Sequence, residues 1–237
     1  MPGFRDTLHL FGRRFALALQ SSTRVRAPVE APVEDDLLQS STGHIPGAGW
    51  LVGLAACLVF ALTSLLVGQA TAAAIACTVA TVLLTGAQNE SGLFRFADRM
   101  GRRDAGWGAL ALFLVLGGKL ALLAALADRA EAAVITALFA GQVVSRFAPL
   151  VAAHWLDTRE AALRTLRVGA LWCVVPLALL AFAGGVAFLV AALLACALAG
   201  FALVRFTAPP EGARAERTGA VQQVCEVAFY FGAAIAA

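Results

Sequence analysis

Charge is scarce in this sequence. Only 14% of the 237 residues are Asp, Glu, Lys or Arg, against 60% hydrophobic residues, too little polar surface to cover a water-soluble globule of this length. A soluble enzyme is excluded, and the solvent is lipid. The net charge of +3 is small and scattered, not gathered into the basic stripe that nucleic acid requires, so a nucleic-acid partner is excluded too. CxxC pairs are absent: Cys57, Cys77, Cys173, Cys196 and Cys225 each fall inside an apolar run. Thiols in that setting act as small apolar side chains, not as disulfides or zinc ligands. The ordered pattern of a cleaved signal is also missing, because Arg5, Arg13 and Arg14 interrupt the stretch from Leu8 to Leu19. With Leu8, Phe11, Phe15 and Leu19 at helical spacing, that stretch predicts a short amphipathic helix at the membrane surface.

What the chain does have is long apolar runs, at about Gly47 to Val67, Ala70 to Gly86, Gly108 to Ala127, Ala132 to Trp155, Val168 to Ala183, Val186 to Val204 and Gly219 to Ala237. A bilayer core about 30 Å thick takes roughly 20 apolar residues per helix. The pattern predicts an all-α, polytopic membrane protein with about seven transmembrane helices. Residues 1–46 form an N-terminal cytoplasmic or interfacial segment, and residues 47–237 a single transmembrane helical domain. One straight helix from Val168 to Val204 would exceed any bilayer, so Gly184-Gly185 reads as a tight reversal.

Orientation follows from the 18 Lys and Arg residues. Arg5, Arg13, Arg14, Arg24 and Arg26 precede the first run, and Arg95, Arg99, Arg102 and Arg103 follow the second. Arg159, Arg164 and Arg167 follow the fourth, and Arg205, Arg214 and Arg217 the sixth. The opposite side receives only Arg129. The positive-inside rule therefore predicts a cytoplasmic N-terminus and an external C-terminus. The expected location is the cell inner (cytoplasmic) membrane, multi-pass.

Three charges remain within the runs: Lys119, Arg146 and Glu226, the last one turn beyond Gln222 and Gln223. Charge at that depth costs several kcal/mol unless it is paired or wet. Either a structural ion pair such as Glu226 with Arg146, or a polar cavity in the bundle, meets that cost. At the end of the second run, Glu90 and Asp98 stand eight residues apart, two helical turns on roughly one face. Carboxylates on a membrane-edge helix suit Mg²⁺, which takes oxygen ligands and leaves room for substrate phosphates. Pairing to Arg95, Arg99 or Arg102 is the plainer alternative.

These residues carry a resemblance. Thr85, Gly86, Ala87, Glu90, Gly92, Leu93, Ala97 and Asp98 match in register the central motif of the cobalamin 5'-phosphate synthase family, also called adenosylcobinamide-GDP ribazoletransferase. Ala18-Leu19-Gln20, Thr23-Arg24, Pro28-Val29 and Ile45-Pro46 resemble its opening, and Lys119 and Ser145-Arg146 its intramembrane positions. The run from Glu216 through Gly219-Ala220 and Gln222-Gln223 to Glu226 resembles its close, with Glu216 in place of Asp. The chain departs at Ser91 and Arg95, where the family has aspartates, and at Arg99, where it has glycine.

The resemblance implies a membrane enzyme that joins adenosylcobinamide-GDP to α-ribazole or its phosphate and releases GMP. It implies Mg²⁺ held by Glu90, Asp98 and Glu216 as the catalytic carboxylates. Lys119 and Arg146 would meet phosphate, while Gln222, Gln223 and Glu226 would fix the corrin side chain or the ribazole hydroxyl. A homo-oligomer is compatible with the sequence. Two other readings stand beside the enzyme: a catalytically degenerate relative with a binding or scaffold role, motivated by Ser91 and Arg95, and a small-molecule transporter in which Lys119, Arg146 and Glu226 line a path.

Overall fold

The computed structural model describes residues 4–27, 34–101, 106–156, 160–207 and 213–237. Among the described residues every regular element is helical, as expected: α1 (Phe4–Ser22), α2 (Asp35–Ser41), a 3-10 turn (Thr42–His44), α3 (Ile45–Val67), α4 (Ala70–Thr85), α5 (Gln88–Met100), α6 (Trp107–Arg129), α7 (Glu131–Leu156), α8 (Glu160–Phe206) and α9 (Arg214–Ala236). Arg102, Arg103 and Arg159 from the charge count, and Pro28-Val29 from the opening motif, lie outside the described residues.

Five stretches are long and apolar enough to cross a membrane: Asp35–Val67, Trp107–Arg129, Glu131–Trp155, Ala162–Phe206 and Arg214–Ala236. The pair α4 and α5, bent by 88°, makes a sixth if it is one span. Large apolar side chains point outward along them, among them Leu66, Phe113, Leu171 and Phe182, a surface that suits lipid and not water. The centre is α7 and α9, whose apolar stretches are 61% buried, against 17–22% for the other three candidate spans.

The 45 residues of Ala162–Phe206 would form a rod of about 68 Å, more than twice a bilayer core. They do not. Helical geometry breaks at Gly185 (φ 80, ψ 175), a conformation open essentially to glycine alone. Gly169, before the break, packs on Phe147 and Leu150 of α7. Leu193, Ala197 and Gly200, after it, line a groove with the same turns of α7. Both contacts are met only if α8 folds back on itself, so the reversal expected at Gly184-Gly185 is a hairpin of two side-by-side limbs.

Two features place the functional residues. Between α4 and α5 the chain turns through Gly86 (φ 68) and Ala87 (φ 56). Ala87 is the one non-glycine residue with positive φ among those described, a conformation costing roughly 1–2 kcal/mol. The Arg24 backbone N–H donates to the Leu84 carbonyl at 2.8 Å and holds the turn from outside. Further on, α5 crosses α9 through Gly92 and Gly219. A Cβ on Gly219 would lie 2.8 Å from the Asn89 carbonyl oxygen and 3.0 Å from the Gly92 Cα, both backbone atoms that cannot swing aside.

The amphipathic helix expected at the N-terminus is α1. Its Phe11 and Phe15 stack on Trp172 of α8 at 6.0 and 5.4 Å, while Leu8 stays exposed.

The α5–α9 crossing generates a test. Gly219→Val should lower the thermal midpoint in detergent by roughly 5 °C, from an overpacking cost of about 1–3 kcal/mol. Gly117→Val, with no atom within 4 Å of its Cβ position, should leave it nearly unchanged. Equal midpoints for the two variants would mean that the helices do not touch there.

Candidate functional site

The intramembrane charges come together. Lys119 of α6, Arg146 of α7, Glu226 of α9 and Glu90 of α5 are all buried, the first three at 2% exposure and Glu90 at 7%. They line one small cavity with Thr81, Thr85, Asn89, Gln142, Gln222 and Gln223. Two cations and two carboxylates cancel, and that neutrality lets the group exist at depth.

The pairing differs from the Arg146–Glu226 bridge weighed from sequence. Lys119 Nζ lies 2.5 Å from Glu226 Oε1. The same oxygen accepts from Gln142 Nε2 at 2.5 Å and from the Tyr230 hydroxyl at 3.0 Å. Arg146 Nη1 instead donates to the Gln142 carbonyl at 2.6 Å and to Gln142 Oε1 at 2.7 Å. Gln142 therefore bridges Arg146 to Glu226, taking from one and giving to the other. Lys119 has already satisfied the carboxylate, and a backbone carbonyl one turn back suits a guanidinium at i+4.

Glu90 is bound by α9: Gln223 Nε2 donates to its Oε1 at 3.0 Å. Glu90 Oε2 and Gln223 Oε1 are buried acceptors without a hydrogen-bond partner, an arrangement that costs free energy unless something fills it.

The other two expected metal ligands stand elsewhere. Asp98 Oδ1 accepts from the Gly108 backbone N–H at 2.6 Å and so caps the start of α6, where a negative charge meets the positive end of the helix. Glu216 Oε2 is 2.9 Å from Arg99 Nε. Among the described residues no group of three or more His, Cys, Asp or Glu side chains is placed to hold a metal ion. Glu90, Asp98 and Glu216 thus do not converge; of the three, Glu90 alone lines the buried cluster. Ser91 and Arg95 are both exposed and share the outer face of α5, as their spacing predicts.

Sequence reasoning missed Gln142 and Tyr230. Each stands four residues from a charge it serves, Gln142 before Arg146 and Tyr230 after Glu226, and that i, i+4 spacing is the signal that finds them.

A bundle that seals an ionic cluster among its inner helices defines a polytopic membrane protein with an intramembrane polar site. More particularly, this chain belongs to the cobalamin-5-phosphate synthase family, whose model matches residues 14–234. It is 35% identical to the adenosylcobinamide-GDP ribazoletransferase of a Polaromonas species (strain JS666), covering 95% of this chain and 97% of that one. It is 34% identical to the protein of the same description from Polaromonas naphthalenivorans, over 95% and 98%, and 31% identical to that of Albidiferax ferrireducens, over 95% and 98%. No solved structure matches the chain.

Removing one side of the Lys119–Glu226 pair should cost more than removing both. Lys119→Met or Glu226→Gln alone should destabilise by about 3–5 kcal/mol, because each strands a buried partner, whereas the double variant should recover a large part of that loss. Thermal midpoints in detergent read this directly. Single variants as stable as the parent would show that the two side chains do not form a buried pair.

Proposed function

We propose that this protein is an adenosylcobinamide-GDP ribazoletransferase of cobalamin biosynthesis. The observation that carries the reading is convergence. Glu90, Lys119, Arg146, Gln223 and Glu226, matched to the family's motifs one by one along the chain, meet from α5, α6, α7 and α9 at one buried point.

In this reaction a ribazole hydroxyl attacks the phosphorus that carries the cobinamide. A P–O bond forms to the ribazole, the P–O bond to the nucleotide breaks, GMP leaves and the hydroxyl proton passes to the departing GMP phosphate or to water. Such a transfer is helped chiefly by alignment and by neutralising the charge on the phosphoryl oxygens. Lys119 and Arg146 supply positive charge. Gln223 Oε1, buried and unpartnered, is an acceptor able to orient the hydroxyl. Mg²⁺ would add charge neutralisation when bound. The residue open to it is Glu90 through Oε2, and the substrate's own phosphates would supply further oxygen ligands. Asp98 and Glu216, engaged with Gly108 and Arg99, are not needed for this. The cluster's cavity is only about 10 Å³, about the space of one water, so substrates meet it at its rim.

The topology we propose has seven crossings: the candidate spans, with α8 crossing twice through its hairpin and α4 as a short crossing before α5 turns along the interface. Its N-terminus is cytoplasmic, by the placement of arginine, and the inner membrane is the location that the transferase reading implies. A tag after Ala237 that is accessible from the cytoplasm would contradict it.

The decisive assay incubates the purified protein in nanodiscs with adenosylcobinamide-GDP, α-ribazole phosphate and Mg²⁺, and reads the joined corrin by mass spectrometry. Turnover is expected, with loss on chelation of Mg²⁺ and a drop of about tenfold or more in Glu90→Gln. No joined product from a folded parent protein would overturn the reading.

A further inference from the structure

The buried cluster has no room for a nucleotide, yet the proposed substrate carries one. A cavity of about 710 Å³ opens beside it, within the size range of small-molecule sites. Its walls come from α1, α2, the 3-10 turn and the first turns of α8: Arg14, Asp36, His44, Glu160, Arg164 and Arg167. Arg164 and Arg167 stand three apart and so on one face of α8. The salt bridges among the described residues, Arg99–Glu216 and Lys119–Glu226, engage none of these groups. The Nε of Arg14 is buried without a hydrogen-bond partner.

The cavity and the cluster are neighbours along α3. His44 lines the first, and Gly49, five residues on, faces the Arg146 side chain of the second at 3.2 Å from its Cβ position. Five residues of helix rise about 7.5 Å, so the cavity and the cluster lie near the same end of α3.

A purely anionic ligand would suit three arginines and be opposed by two carboxylates. A guanine nucleotide uses both kinds of group. Guanidinium groups take phosphate oxygens in bidentate fashion, and a carboxylate, which only accepts, suits the N–H donors of the guanine edge. Adenine offers an acceptor at the corresponding ring nitrogen and would be repelled.

We propose that this cavity binds the guanine nucleotide end of the substrate, with Arg14, Arg164 and Arg167 on the phosphate next to the guanosine and Asp36 and Glu160 on the base. The inference rests on the transferase reading and names its nucleotide subsite. Phosphate also arrives on anionic lipid, and the test separates the two sources.

GMP, AMP and inorganic phosphate are titrated by calorimetry into the full chain, in nanodiscs of zwitterionic lipid and again with anionic lipid added. GMP should bind at least tenfold more tightly than AMP or phosphate in zwitterionic discs. The double variant R164Q/R167Q, altered at two exposed positions and checked for an unchanged thermal midpoint, should weaken GMP at least tenfold. The double variant D36N/E160Q should bring GMP and AMP within about threefold of each other. Equal binding of GMP and AMP to the parent, or GMP binding unchanged in R164Q/R167Q, would overturn the proposal. So would GMP binding absent from zwitterionic discs with anionic lipid retained on these arginines. If ribazole transfer proceeds while GMP binding ignores the arginines, the subsite falls and the transferase stands. If GMP binding behaves as expected in a protein that transfers nothing, the transferase reading falls and the cavity remains a nucleotide site.

Discussion

Four charged side chains sealed inside a membrane bundle must satisfy one another, and the rest of this structure is arranged around that requirement. A single charge at the centre of a spanning helix costs on the order of 2.5–3.5 kcal/mol on insertion scales. Lys119, Arg146, Glu90 and Glu226 sum to zero, and Gln142, Gln223 and Tyr230 occupy several of the remaining donor and acceptor positions. Because these residues come from α5, α6, α7 and α9, none of the four helices can move away without stranding a partner. Small residues permit the approach: Gly92 and Gly219 at the α5–α9 crossing, and Gly141 of α7, where a Cβ would lie 2.4 Å from the Tyr230 ring.

The helical class, the apolar character of the long helices and the reversal at Gly185 were legible in the sequence, because each depends on apolar length or on glycine, which one residue string records. The number of spans was not, since α4 alone is too short to qualify and α4 and α5 are bent by 88°. Three of the cluster's charges, Lys119, Arg146 and Glu226, were legible too, since a charge inside an apolar run has few places to go; Glu90, Gln142 and Tyr230 were not grouped with them. The cluster's wiring was not legible. Lys119 and Arg146 are equivalent as cations in a sequence, and only the facing of α6 and α9 decides that Lys119 takes Glu226. The carboxylates show the same limit. Glu90 and Asp98 lie on one short helix, yet Glu90 turns inward to Gln223 while Asp98 reaches the first turn of α6. That choice depends on where α6 begins, a tertiary fact.

The departures at Ser91 and Arg95 have a physical setting. Both side chains sit on the exposed face of α5, away from Gly92, Leu93 and Phe96, which are buried. Exchange of acidic for neutral or basic groups there changes the potential at the rim without touching the buried cluster. A rim made more positive also favours an incoming phosphate.

The claim most open to direct measurement is that the cluster is ionised as it stands. Infrared difference spectra between the parent and Glu226→Gln, recorded at neutral pH in nanodiscs, report the protonation state of that one carboxyl. The account predicts loss of carboxylate stretching bands, from an anion held by Lys119. Loss of a protonated carboxylic C=O band instead would contradict it, and would mean that Glu226 is neutral and that no ion pair holds the inner helices together.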